Sequence, residues 1–353
     1  MFHHLTRLGL LWFGFLPGAL YSAVAWREVL KQPAEWYAGS EARSIAASII
    51  QYQVPEGGWA KNTDMSAPPP GSYQTLSTNE RAPTIDNGAT TTQLQFLARV
   101  ATAANDETAR AAFYHGFDYL IAAQYPNGGW PQFFPLRQGY YTHITYNDDA
   151  MVDVLAVLRD TTQKKAPFGF VDAPRRGQAA AAVERAIACI LRTQIKQDGK
   201  LTGWCAQHDE ITFAPAWARN FEPPSISGNE TVGLVRFLMS VKQPTPEIVA
   251  AVEEAVAWLE SVRVRGLRIA TTPGPEGQKD RRAVADPAAT DLWARFYELG
   301  TNRPIFVGRD RITRFDFNAI ERERRVSYAY FGIWPATLLA RDYPRWRAKH
   351  KLP

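Results

Sequence analysis

The sequence predicts a mainly α-helical fold: an α/α toroid of about three helix-hairpin repeats with a small subordinate β-containing part. Three observations carry this expectation. Segments with one apolar helical face recur along the chain, each ends in Gln followed by a Gly-bearing turn and a Trp, and strand signals are few and late. Trp59 and Trp130 lie 71 residues apart, and Gln124 and Gln194 lie 70 apart.

Before the repeat comes a leader. Residues 1–25 carry one charge, Arg7, then an apolar run from Leu8 to Leu20 and Ala23-Val24-Ala25, a small-x-small pattern. This reads as a cleavable export signal cut after Ala25, in preference to a membrane anchor, because of Pro17 and the small residues at the cut. The mature chain, residues 26–353, is then expected to be a single catalytic domain, secreted or periplasmic and monomeric, with no stable membrane insertion. Losing residues 1–25 leaves 39 basic against 35 acidic residues, which suits an acidic partner without demanding one. Nucleic acid is excluded as a partner by export and by the lack of a patterned basic run. Cys189 and Cys205 are able to pair in an oxidising compartment, and two buried free thiols are the expectation.

The first repeat unit is residues 41–53, where Ile45, Ile49 and Tyr52 share a face, followed by VPEGGWAKN. The second is residues 109–124, followed by YPNGGWPQF, and the third is residues 179–194, followed by IKQDGKLTGWCAQHD. Between them lie apolar-periodic segments at 90–104, 147–161, 228–241, 248–264 and 328–339. Helix pairs repeated at this interval bury against their neighbours what each leaves exposed, and their Trp-bearing turns gather at one end. Residues 262–271 and 304–317 are expected to hold short strands, and 271–280, TTPGPEGQKD, to be a surface loop.

Candidate chemistry sits on the turns. In GGWAKN, Trp59 offers a flat apolar face and Lys61 a cation; Trp130 recurs in GGWPQF. An aromatic beside a charge suits a sugar ring, and hairpin packing is the plainer explanation of both tryptophans. Asp86 and Asn87 in TIDNGATT, and Asn147, Asp148 and Asp149 in ITYNDDAM, each open a helix. One residue of each cluster is expected to cap its helix. Capping needs one short polar side chain, and adjacent carboxylates repel unless a cation lies between them, so Asp86, Asp148 and Asp149 are candidate oxygen ligands for Ca²⁺. There is no HExxH or Cys-rich spacing for zinc, and no GxSxG for a serine hydrolase.

The stretch 204–230, WCAQHDEITFAPAWARNFEPPSISGNE, concentrates polar groups on a chain that Pro215, Pro223, Pro224 and Gly228 keep irregular. It supplies His208 and Arg219, while Arg295, Arg303 and Arg309 follow in LWARFYELGTNRPIFVGRDR. Guanidinium groups near a cation site describe a pocket for carboxylate-bearing substrates.

The strings GGWAKN, TIDNGAT, GGWPQF, HITYNDDAM, WCAQHD, ARNFEPPSISGNET, ARFYELGTNRPIF and ERERRVSYAYFG, from Gln51 to Trp334 in one order, resemble those of the pectate lyases of polysaccharide lyase family ten. The resemblance implies an α/α toroid and Ca²⁺-assisted β-elimination of α-1,4-polygalacturonate to 4,5-unsaturated oligogalacturonides. It implies that Asp86 and Asp148 or Asp149 lie at the calcium and substrate, that Arg219 is the base, and that Lys61, Asn62, Arg295 and Arg309 bind substrate, with Trp59, Trp130 and His208 beside them. Ala60 stands where the family often has Pro, and Ser327 and Phe331 depart from its Arg-Thr-Gly-Tyr-x-Trp-Tyr-Gly pattern; both bear on subsites rather than chemistry. The alternatives are a toroidal glycoside hydrolase using Asp86 and Asp149, which leaves saturated products, and a non-catalytic oligogalacturonide-binding protein.

Overall fold

In the computed structural model, which describes residues 24–352, the amphipathic segments form the expected helices except 328–339, where Phe331–Gly332 pairs as a strand with Trp293–Ala294 and helix begins only at the segment's end. α1 (Ser40–Tyr52) buries Ala42, Ile45, Ala46, Ile49 and Tyr52 along one stripe. A single turn, α2 (Gly71–Gln74), interrupts the Pro-rich segment that follows. Next come α3 (Thr91–Ala103), α4 (Glu107–Ala123), α5 (Ala150–Thr162), α6 (Ala173–Thr193), α7 (Glu230–Met239) and α8 (Pro246–Ser261). Consecutive pairs α3/α4, α5/α6 and α7/α8 pack as hairpins, α3, α5 and α7 touch in series, and so do α1, α4, α6 and α8. That is the two-layered packing of the expected helical fold. Two short helices, α9 (Arg322–Ser327) and α10 (Tyr343–His350), follow. Among the described residues no helix is long and apolar enough to cross a membrane. The expected leader, residues 1–23 in large part, lies outside the described residues.

The repeat has a physical basis in side-chain hydrogen bonds. Trp59, Trp130 and Trp204 are fully buried, and each indole N–H donates to a carbonyl near the end of the preceding helix: Ile49 at 2.9 Å, Leu120 at 2.8 Å and Ile190 at 2.7 Å. Gln53, Gln124 and Gln194 stand just past α1, α4 and α6. Each side-chain amide donates once to its own turn and once to the next outer helix, at Ala112, Ala182 and Ala251 respectively. Every Trp thus pegs a turn to its helix, and every Gln ties that turn to the neighbouring unit. Gly57 and Gly128 turn with φ of +102° and +92°, and a Cβ there would strike the carbonyls of His115 and Arg185.

The strands are all in two-stranded pieces. Residues 271–280 are not a free loop: Leu267–Pro273 pairs antiparallel with Lys279–Ala285, so only Gly274–Gln278 turns. β-branched Thr271 and Thr272 extend the strand into the polar stretch. Phe306–Val307 pairs with Thr313–Arg314, within the segment expected to hold strands. A second apolar cluster of Phe296, Ile305, Phe306, Phe317, Ile320 and Tyr330 supports these pieces. Cys189 and Cys205 are both buried and free, as expected.

Candidate active site

The N-termini of α3, α5 and α7 carry no side-chain cap, whereas those of α4, α6 and α8 are capped by Asp106, Asp172 and Thr245. The acidic clusters before α3 and α5 were expected to spend one residue each on capping. They do not, because their backbones leave the helix in left-handed conformations, with φ of 53° at Asn87, 49° at Asp148 and 61° at Asp149. Asn62 adds a fourth such residue at 58°. Non-glycine residues in this region cost energy and gather where a site needs them. The turns 86–88 and 147–149 pack against one another, which joins the two clusters.

Lys61 forms an ion pair with Asp86, whose Oδ2 also accepts from Gln132 Nε2 at 2.7 Å. Asn62 Oδ1 accepts from Asn87 at 3.1 Å. Across the turn interface, a terminal nitrogen of Arg295 donates to Asp148 Oδ1 at 2.7 Å and Glu230 Oε1 at 2.5 Å. Glu230 is fully buried at the start of α7 and also accepts from Ser227 and Asn229. Burial alone would pull the Arg295 guanidinium down; the carboxylates of Glu230 and Asp148 push it above its ordinary value.

Asp149 points elsewhere, towards Gly233 of α7, where any Cβ would lie 2.0 Å from its Oδ1. It opens to water through a cavity of about 370 Å³ lined also by Arg159, Arg236 and Trp334. The walls of that cavity desolvate the carboxyl group, and Glu230 and Asp148 repel its charge, so its pKa is pushed up to about 6. Among the described residues it has no ion-pair partner.

The three arginines expected to bind or act on substrate converge. Arg219 Nε donates to Glu222 Oε2 at 2.8 Å and its terminal nitrogen to Oε1 at 2.5 Å. Tyr328 donates to Glu222 Oε1 at 2.8 Å, and its ring lies 5.0 Å from the Arg295 guanidinium and 5.6 Å from that of Arg219. Phe221, edge-on to Tyr328, is faced by Arg219 at 4.9 Å, Arg309 at 5.7 Å and Arg324 at 4.2 Å. Arg309 is exposed and bridges to Glu323 at 3.0 Å. Burial lowers the Arg219 pKa, but the paired carboxylate of Glu222 outweighs it, and the guanidinium is held above its usual range. A base needs the opposite shift, so Arg219 in this arrangement is a firmly protonated cation.

Three expected ligand-binding residues have no surface to offer. Trp59 and Trp130 are the buried pegs of the repeat. His208 is also wholly buried: its Nε2 accepts from the Cys205 amide at 3.1 Å, so Nδ1 carries the proton and donates to the Phe213 carbonyl at 2.8 Å. Desolvation lowers its pKa to about 4, which makes it a neutral brace for the loop at 205–213. Tyr328 and Gln132 are the site residues that sequence reasoning did not place there, and Glu222 and Glu230, which belong to the polar stretch 204–230 it singled out, had no role assigned.

For a metal, Asp86 and Asp148 are engaged by Lys61 and Arg295. Among the described residues the group whose donor atoms all fall within 4.8 Å of one another is instead His143, Asp209 and Glu210. The expected set nevertheless suits a hard cation. The donors of Asp86 and Asp148 are oxygens and their two turns pack together, whereas Asp149, the third expected ligand, faces Gly233 and stands apart from them.

The sequence model described as pectic acid lyase matches residues 53–339. A family 10 polysaccharide lyase from Cellvibrio cellulosa is 34% identical with a TM-score of 0.74, over 90% of this chain and 94% of its own. A point mutant of that lyase, solved in complex with trigalacturonic acid, matches at the same identity and TM-score over 90% of this chain and 95% of its own. No curated protein matches. This chain belongs to the pectic acid lyase family and is a pectate lyase.

Proposed function

We propose that this enzyme cleaves α-1,4-polygalacturonate by Ca²⁺-assisted β-elimination, with Arg219 as the group that takes the C5 proton. The observation that carries this reading is the convergence of Arg219, Arg295 and Arg309 around the Phe221–Tyr328 pair, beside Asp148 and Glu230. It is supported by the trigalacturonic acid bound to the Cellvibrio relative.

The C5 proton of a galacturonate lies beside the C6 carboxylate, and its removal builds negative charge on that group. Arg295 and Arg309 are positioned to bind the carboxylate and to hold this charge as it grows. The uncapped N-termini of α3, α5 and α7 add positive potential. Lys61 and Asn62 bind a neighbouring sugar. The C5 electron pair then forms the C4=C5 double bond, the C4–O bond breaks, and the leaving oxygen takes a proton from water. For Arg219 to accept the C5 proton it must part from Glu222, and alkaline pH favours the neutral form it needs. Of the acidic residues expected there, Asp86 and Asp148 are the ones that would hold Ca²⁺, since Asp149 faces Gly233; the ion would supply charge neutralisation at the substrate carboxylate when bound.

The small-x-small pattern at Ala23–Ala25 supports an exported mature chain beginning at Trp26.

Replacing Arg219 with Lys tests the assignment. Turnover should fall by at least about a hundredfold, the lower end of what a positioned base contributes, while calorimetric binding of trigalacturonate persists. Full activity in R219K would remove Arg219 from the role.

A further inference from the structure

We propose that the substrate cleft continues past the reacting sugar into a cavity that carries Arg81 and Arg137, and that these two arginines bind carboxylates of a distal galacturonate unit. This rests on the polygalacturonate lyase reading above.

The cavity holds about 670 Å³ and is lined by Arg81, Arg137, Phe133, Pro135, Leu136 and Glu56, among others. Its size lies within the roughly 300–1,000 Å³ of small-ligand sites. Leu136 is an exposed large apolar residue on its wall, and a sugar C–H face is a partner of matching chemistry.

Two features set its arginines apart. Among the described residues, neither Arg81 nor Arg137 has a carboxylate within ion-pair distance, although most arginines at the reaction centre do. Among the described residues the Arg81 side chain makes no hydrogen bond or ion pair, its Nε being buried and unpartnered, so its charge is not committed to a neighbour. Arg137 instead sits over two aromatic rings, 5.2 Å from the centroid of Phe133 and 4.6 Å from that of Tyr141, which holds it on the cavity wall without a carboxylate partner.

Two features place this cavity next to the reaction centre. Lys61, the cation paired with Asp86, lies 5.7 Å from the same Phe133 ring as Arg137. Tyr141 is packed on Tyr140 at 4.1 Å, and Tyr140 lies close enough to Arg219 and Glu222 to feel both charges. Arg137 and Arg81 thus put two cations without carboxylate partners on one flank of the reaction centre, with the aromatic faces of Tyr141 and Phe133 beside them. A polymer carrying one carboxylate per sugar is a ligand that pairs with such cations; a neutral glycan would leave the arginines unpaired.

The test is chain-length dependence. Wild type, R137A, R81A and R137K would be assayed for unsaturated product on trigalacturonate and on polygalacturonate, with thermal melting to verify folding. R137A and R81A should raise KM for the polymer about three- to tenfold, the loss of one partly solvated charge-assisted hydrogen bond, with kcat and the trigalacturonate constants unchanged. R137K, which keeps the charge, should recover part of the loss. Equal effects on both substrates, or none on the polymer, would overturn the proposal. Absence of unsaturated product from wild type would instead refute the elimination reading, and calorimetric affinity for long against short oligogalacturonates would then test the subsite alone. There, a length preference lost in R137A supports the subsite, and an unchanged preference overturns it.

Discussion

Glu222 decides how Arg219 titrates, and Glu222→Gln is the perturbation that exposes it. The Glu222 carboxylate is nearly buried, grips Arg219 through two hydrogen bonds and is itself held by Tyr328. Gln keeps the shape and an acceptor for Tyr328 but removes the charge. A hydrogen bond to a charged group contributes about 1.5–3 kcal/mol. The Arg219 side chain is 45% exposed, so solvent screening reduces this to about 1.4 kcal/mol, or about one pH unit. The sign follows from the charge: with the carboxylate gone the protonated guanidinium loses stabilisation, its pKa falls, and the neutral form becomes available at lower pH. The acid limb of the kcat/KM profile should therefore move about one unit towards acid in E222Q. The plateau kcat should drop as well, because Arg219 is less firmly positioned. The assay is initial-rate elimination across the alkaline range, with melting curves to establish that the variant folds. A limb that stays put, or moves to higher pH, would refute the argument that Glu222 sets the protonation of the base.

Two further outcomes follow from buried charge. Arg295→Met should destabilise the fold by about 3–5 kcal/mol, because it leaves the fully buried Glu230 without its cation; urea unfolding reads this, and a cost below about 1 kcal/mol would contradict it. His208 is buried and neutral with a pKa lowered to about 4, against 6.5 when unfolded. Its contribution is therefore present above the unfolded value and lost as pH falls from about 6.5 towards 4, on the order of 3 kcal/mol. Urea unfolding at stepped pH should show a slope across that window that H208Q lacks, and equal slopes in both would count against it.

The helices and their repeat were legible in the sequence because a 3.6-residue period and the Gln-turn-Trp punctuation survive without any knowledge of partners. The role of the tryptophans was legible only in part: hairpin packing is the plainer reading and is what they do, but the same sequence also reads as substrate-binding. Trp59 and Trp130 look alike whether they face a sugar or donate to Ile49 and Leu120, and only the packed hairpin distinguishes these. His208 misled for the same reason: its two acceptor and donor partners, Cys205 and Phe213, are local in sequence but meet it only once the loop folds back. The arginines stood out as a carboxylate-binding set, and their separate roles came through resemblance. No spacing rule links Arg219, Arg295 and Arg309, which come together through Phe221 and Tyr328. The role of Glu230 was hidden because Ser227-x-x-Glu230 has the spacing of a capping box, and Ser227 does bond it, while its other oxygen turns to Arg295. Tyr328 sits in an aromatic-rich run that reads as core. The acidic turns misread as caps show the reverse case, where strained backbone releases carboxylates that a helix end would otherwise have used.

The central claim is elimination at a calcium-dependent site, and one measurement meets it directly. Purified mature enzyme would act on polygalacturonate at alkaline pH with Ca²⁺ and then with EDTA, while ultraviolet absorbance of the conjugated product is followed and product masses are taken. The account predicts rising absorbance that EDTA suppresses, and fragments ending in a C4=C5 double bond, one water lighter than hydrolysis products. Saturated fragments with new reducing ends would contradict elimination, and absorbance that rises equally in EDTA would contradict the metal.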